Sequence, residues 1–149
     1  MQSIIERVGH AIQYVSGGPG EFSWAYTIGL ARIGRPELIA TGVSPADASA
    51  MFNEIVQDWD RMEIAFDGLC TLPGRGNQCR FAEVPETVWQ SDYLVGAKRD
   101  AAEQGVSLPV AVQVLWADQT RQFPDDPSAP PSFRRAQPIL SKLLNTRHQ

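Results

Sequence analysis

The stretch PVAVQVLWAD, residues 109–118, constrains what this chain can fold into more than any other. Strand alternation puts Val110, Val112, Val114 and Trp116 on one side and Ala111, Gln113 and Leu115 on the other. Both sides are mostly apolar, and a strand of that kind belongs inside a sheet. The rest of the chain must supply neighbouring strands and something to cover them.

Three candidate neighbours stand near the start. HAIQYVS reads as a strand, runs into the turn-forming GGPG, and is followed by a returning strand, WAYTIGL. In the returning strand Trp24, Tyr26, Ile28 and Leu30 make a large apolar side. Ala25, Thr27 and Gly29 make a small one that lets another element approach closely. RIGRP turns the chain and ELIATGV supplies a third strand, so these segments predict an antiparallel meander. GLCTLPG and NQCRFAEVP predict a hairpin with Cys70 and Cys79 on its two arms. That placement permits a disulfide, but in a cytoplasmic protein the pair reads as two reduced thiols.

Covering helices are also readable. In SPADASAMFNEIVQDWDRM, Ser44 fits the N-cap, Pro45 the first helical position and Asp47 the acid of a capping box. Met51, Phe52, Ile55, Val56, Trp59 and Met62 follow at helical spacing as one apolar stripe. PETVWQSDYLVGAKRDAAEQG contains a second helix closed by Gly105, and a short helix is expected around residues 3–8. FPDDPSAPPSFRRAQP, with five prolines in sixteen residues, predicts an extended segment. PILSKLLN then reads as a short helix whose Ile139, Leu140, Leu143 and Leu144 dock back on the fold.

The expectation is an α+β single domain with an antiparallel or mixed sheet of about five to six strands packed by two main helices. Residues 1–122 would form the core and 123–149 a proline-rich extension. At 149 residues, 43% apolar and 20% charged, the chain has the size and composition of one globular domain. A net charge of -4 argues against a phosphate-driven affinity for nucleic acid; the basic pairs Arg75/Arg80 and Arg134/Arg135 read as solvated surface. MQSIIERVGH lacks the apolar run of a signal peptide, and no stretch approaches the roughly 20 apolar residues of a membrane span. The expected location is the cytoplasm.

Motifs that would name a reaction are absent. GGPG lacks the spacing and the Lys-Ser/Thr of a phosphate loop, and there is no dinucleotide fingerprint or Gly-x-Ser-x-Gly elbow. Two cysteines and two histidines do not make a zinc motif, and no cofactor is indicated. His10 alone, at a strand start, reads as structural. The remaining candidates are polar residues in or near strand ends, where rigid backbone positions side chains and loops give access: Tyr26, Thr27, Glu37, Arg80, Trp116 and Asp118. Each has a plain structural alternative. A buried Tyr26 hydroxyl needs a partner; Thr27 suits any strand; Glu37 follows a proline; Asp118 begins a turn. If Glu37 and Asp118 met in one cleft, acid/base chemistry or a divalent metal would follow.

AYTIGL at 25–30, PELIATGV at 36–43, the helix containing FNEIV, VQVLWAD at 112–118, FPDDP at 123–127 and QPIL at 137–140 together resemble the bacterial domain of unknown function 4262 family. The resemblance spans nearly the whole chain and implies a soluble bacterial protein, with no established activity. It places Tyr26, Thr27, Gly29, Pro36, Glu37, Gly42, Asp118, Pro124, Gln137 and Pro138 on the family's signature and makes none of them catalytic. Two functional readings follow. One is a small-ligand pocket between the meander and the last strand, built from the six candidates above. The other is a protein-interaction module of regulator, immunity or anti-defence type, using the proline-rich segment and acidic surface.

Overall fold

The computed structural model describes residues 9–17, 22–57, 69–71, 78–84, 93–106, 111–117 and 122–140. Its strands are β1 (Ala11–Val15), β2 (Trp24–Ile28), β3 (Glu37–Thr41), β4 (Leu69–Thr71), β5 (Gln78–Val84) and β6 (Ala111–Trp116). They form one mixed sheet in the order β1-β2-β3-β6-β5-β4. The first three pair antiparallel in succession, as the alternating segments predict. β6 lies between β3 and β5, parallel to the former and antiparallel to the latter, and Ala111–Leu115 is buried throughout. This is the interior strand that the two apolar sides of the sequence demand. β4 and β5 form the expected antiparallel pair, with Cys70 opposite Cys79 in register.

Helix α1 (Pro45–Gln57) covers one face of the sheet and α2 (Val95–Gln104) the other. Ser44 Oγ accepts the Asp47 N–H at 3.1 Å and caps α1 as expected. Met51, Phe52 and Ile55 of its stripe are buried against Ala25, Leu38, Ala40, Phe81, Val112 and Val114. On the opposite face Leu94 and Ala97 pack on Tyr26, Ile28, Ile39, Val84 and Ala111. Burying a side chain the size of Phe52 or Ile39 contributes about 1.5–3 kcal/mol, so the two-sided packing accounts for most of the apolar pattern. Gly105, with φ 68°, closes α2 in the left-handed conformation.

Two local expectations are corrected. Leu30 does not continue the large side of β2: Gly29, at φ 112°, ends the strand, and Leu30 opens a one-turn 3-10 helix (Leu30–Ile33) and joins the α1-facing core. The proline-rich segment is not extended. Turns closed by Asp126 N–H to Phe123 C=O and Ala129 N–H to Asp126 C=O lead into a third helix, α3 (Pro131–Ala136), with proline at its first position.

The segment after α3 is held by two buried glutamines. Gln137 pairs with the backbone of Trp116, accepting its N–H at 2.7 Å and donating to its C=O at 3.0 Å. Gln113 donates to the Pro138 C=O at 2.7 Å and accepts the Leu140 N–H at 2.9 Å. Each side-chain amide thus mimics a strand partner, and Leu140 is delivered into the α2-facing core. The helix expected near residues 3–8, Trp59, Met62, the hairpin tip, Asp118, Leu143 and Leu144 lie outside the described residues. Among the described residues no helix is long and apolar enough to cross a membrane.

Candidate functional site

β2 and β3 separate at the end where Thr27 and Glu37 stand. Their ladder runs from Trp24 opposite Thr41 to Tyr26 opposite Ile39. Beyond it the Leu38 N–H bonds to Thr27 Oγ1 at 2.8 Å. The same hydroxyl donates to Glu37 Oε1 at 2.8 Å. Glu37 also accepts the N–H groups of Gly29, Leu30 and Ala31 at 3.0, 3.1 and 3.3 Å, so each carboxylate oxygen takes two donors. Left-handed Gly29 makes this possible, because it turns successive N–H groups to one side as a small anion-binding nest. Burial pushes the Glu37 carboxyl above its ordinary range, and the Thr27 hydroxyl and three backbone donors oppose that shift. With Glu37 1% exposed and Thr27 fully buried, the carboxylate closes the β2–β3 connection from inside.

Tyr26 points to the opposite face, where its hydroxyl accepts the Gly96 N–H at 2.9 Å at the start of α2. Burial raises the phenol above its ordinary value; the Gly96 bond and the charge of Arg99 work against it. The hydroxyl's expected partner is therefore the first turn of a helix. A Cβ at position 96 would stand 2.9 Å from that oxygen, so glycine is what lets the helix come this near. Nearby, Arg32 and Asp100 form a two-pronged ion pair that ties the 3-10 turn to α2.

Arg80 and Trp116 lie toward the other end of the sheet. Arg80 bonds to Asp125 at 2.6 Å and sits over the Phe123 ring, 5.0 Å from its centre, which fastens the proline-rich segment to β5. The Trp116 indole N–H donates to the Thr41 C=O at 3.2 Å, and its ring meets Phe133 of α3 edge-on. Of the six candidate residues, then, the structure joins Thr27 with Glu37; Tyr26 packs on the α2-facing side, and Arg80 and Trp116 stand on the neighbouring strands β5 and β6. His10 is buried, its Nε2–H donating to Asn53 Oδ1 across to α1 at 3.0 Å. Among the described residues no group of three or more His, Cys, Asp or Glu is arranged to hold a metal ion.

A cleft of about 470 Å³ opens at the Trp24/Thr41 end of the β2–β3 pair. β1 contributes Tyr14, the approach to β2 contributes Phe22 and Ser23, the turn after β3 contributes Gly42, Val43 and Ser44, and α3 contributes Arg135 and Ala136. Gly42, at φ 71°, sets the fit of α3: a Cβ there would lie 2.5 Å from the Ala136 carbonyl oxygen. Phe22 stacks on Tyr93, with ring centres 6.1 Å apart, and contacts the Trp24 ring. The Trp24 indole N–H donates to the Tyr93 C=O at 3.0 Å. The aromatic side of the cleft is thereby built on a packed group of rings.

The polar groups of this cleft are less engaged than those around Glu37. Among the described residues the Tyr14 hydroxyl and the Arg135 guanidinium have no hydrogen-bond or ion-pair partner. Neighbouring Arg134 differs, donating to the Asp126 C=O at 2.7 Å. Tyr14, Phe22 and Arg135 carry no motif and are absent from the sequence-derived candidates. Gly42, ahead of the Ser44-Pro45 helix start, and the paired arginines were the available signals.

The sequence profile of the family described as domain of unknown function (DUF4262) matches residues 4–130, and the chain belongs to that family. Comparison with curated proteins and with solved structures returns no match.

Proposed function

We propose that this member of the DUF4262 family binds a small molecule in the cleft at the Thr41 end of its sheet. The cleft itself carries the reading: about 470 Å³ lies within the range of small-molecule sites, and apolar rings share its lining with Tyr14 and Arg135, whose polar groups have no partner among the described residues. Phe22 offers a flat apolar surface and Tyr14 a ring with a hydroxyl, the mixture that holds a ligand's body and orients it. Thr27 and Glu37 serve this site indirectly, by fixing the far end of the strands that frame it.

The proline-rich segment supports this reading over protein recognition. Its Asp125, Phe123 and Gln137 are engaged with the chain's own β5 and β6, and Ala136 contributes to the cleft. Crystals soaked with a library of small aromatic and polar fragments test the proposal. Fragment density against Tyr14 and Phe22 is the expected result. Density confined to other surfaces, with this cleft vacant across the library, overturns it.

A further inference from the structure

We infer that the ligand of this cleft is an anion carrying an apolar, planar body. This rests on the cleft being the binding site and adds the chemical class. Two observations carry it. Arg135 lines the cleft with no ion-pair or hydrogen-bond partner among the described residues, although the chain as a whole is acidic, with 17 Asp and Glu against 13 Lys and Arg. Among the described residues the lining of this cleft contains no Asp or Glu, so an entering carboxylate, sulfonate or phosphate meets the Arg135 cation and the Tyr14 hydroxyl with no described acidic side chain to repel it.

The apolar half of the ligand is set by Phe22. Phe22 is backed by the Trp24 and Tyr93 rings and offers a surface on which an aromatic or other flat group stacks. A ligand with only a charge leaves this surface wet, and one with only a ring leaves Arg135 unanswered. The two halves together select an aromatic or similarly flat organic anion.

Two fluorescent probes that share a ring system separate these contributions: anilinonaphthalene sulfonate, an anion, and N-phenylnaphthylamine, which is neutral. The native protein is titrated with each, beside Arg135→Gln, Arg134→Gln and Phe22→Ala variants whose folding is verified by circular dichroism. The sulfonate is expected to bind more tightly than the neutral probe. Arg135→Gln should weaken it about three- to tenfold and leave the neutral probe unchanged, as for one partly solvated ion pair. Arg134→Gln removes the same charge from a side chain bonded to Asp126 and should change neither titration. Equal affinity for the two probes, both weakened by Phe22→Ala and neither by Arg135→Gln, overturns the anion assignment while the cleft stands. Binding of both probes that is indifferent to Phe22→Ala as well as Arg135→Gln overturns the cleft reading with it.

Discussion

The two ends of the β2–β3 pair handle polar groups in opposite ways. At the Glu37 end, four donors converge on one carboxylate, and the connection between the strands is dry and closed. At the Thr41 end, the strands open onto a cleft where Tyr14 and Arg135 have no partner among the described residues. A buried carboxylate is costly unless its oxygens are bonded, so the first end is explained by stability alone. Unpaired groups facing water cost little and hold the fold together hardly at all. The most elaborate polar cluster among the described residues is thus accounted for by stability, whereas the proposed binding site lies where the described polar groups are uncommitted.

Substitutions at the two ends should therefore separate stability from binding. The largest effect is expected for Glu37→Ala, which leaves the Thr27 hydroxyl and three backbone N–H groups without their acceptor. At about 1–3 kcal/mol for each unsatisfied group, partly relieved by water entry, the loss should be about 3–5 kcal/mol in urea denaturation. A loss below about 1 kcal/mol would break the comparison at its closed end. Gly42→Ala comes next. Its Cβ meets the Ala136 carbonyl and a left-handed backbone, and it should cost about 1–3 kcal/mol while shifting α3 away from the cleft. Thermal denaturation measures the cost, and a crystal structure of the variant would locate the shift.

A pH series sharpens the account of Glu37. Its folded-state pKa is raised by burial, so the native chain holds a proton more tightly than the unfolded one. The stability that comes from this shift is complete below the unfolded-state value and is lost as pH rises through the folded-state value, while the four hydrogen bonds to the carboxylate remain. The stability of the native protein relative to Glu37→Gln should accordingly decline as pH rises from below the ordinary carboxylate range to above it. A difference that is flat, or grows with pH, contradicts this. The smallest effects belong to the open end: Tyr14→Phe and Arg135→Gln should each change stability by no more than about 0.5 kcal/mol, because neither removes a hydrogen bond or ion pair made among the described residues. Calorimetry showing a larger loss would mean that these groups brace the structure.

Much of the architecture was legible because it rests on local pattern. Two apolar sides marked β6 as an interior strand, and alternation in β2 separated Ala25, facing α1, from Tyr26 and Ile28, facing α2. Residues carrying the family resemblance turn out to be bonded to the fold: Thr27 and Gly29 to Glu37, Tyr26 to α2, Gln137 to β6, with Gly42 against Ala136. What was not legible depended on tertiary geometry. The parallel pairing of β3 with β6 joins segments about seventy residues apart, and alternation says nothing about the direction of a neighbour. Glu37 looked like a strand-end carboxylate because its partners are mostly backbone N–H groups, which leave no trace in composition. Beyond Gly42 and the paired arginines the cleft left no pattern: residues 14, 22, 42 and 135 share no spacing and meet only when the sheet and α3 are in place.

NMR titration of the isotope-labelled protein with anilinonaphthalene sulfonate, following every backbone amide, distinguishes the open end of the β2–β3 pair from the closed one. Shifts are expected at Phe22, Ser23, Gly42, Val43, Ser44 and Ala136, with the amides of Gly29, Leu30 and Ala31 unmoved on Glu37. Shifts concentrated at Gly29, Leu30 and Ala31, with the cleft amides silent, would contradict binding at the open end.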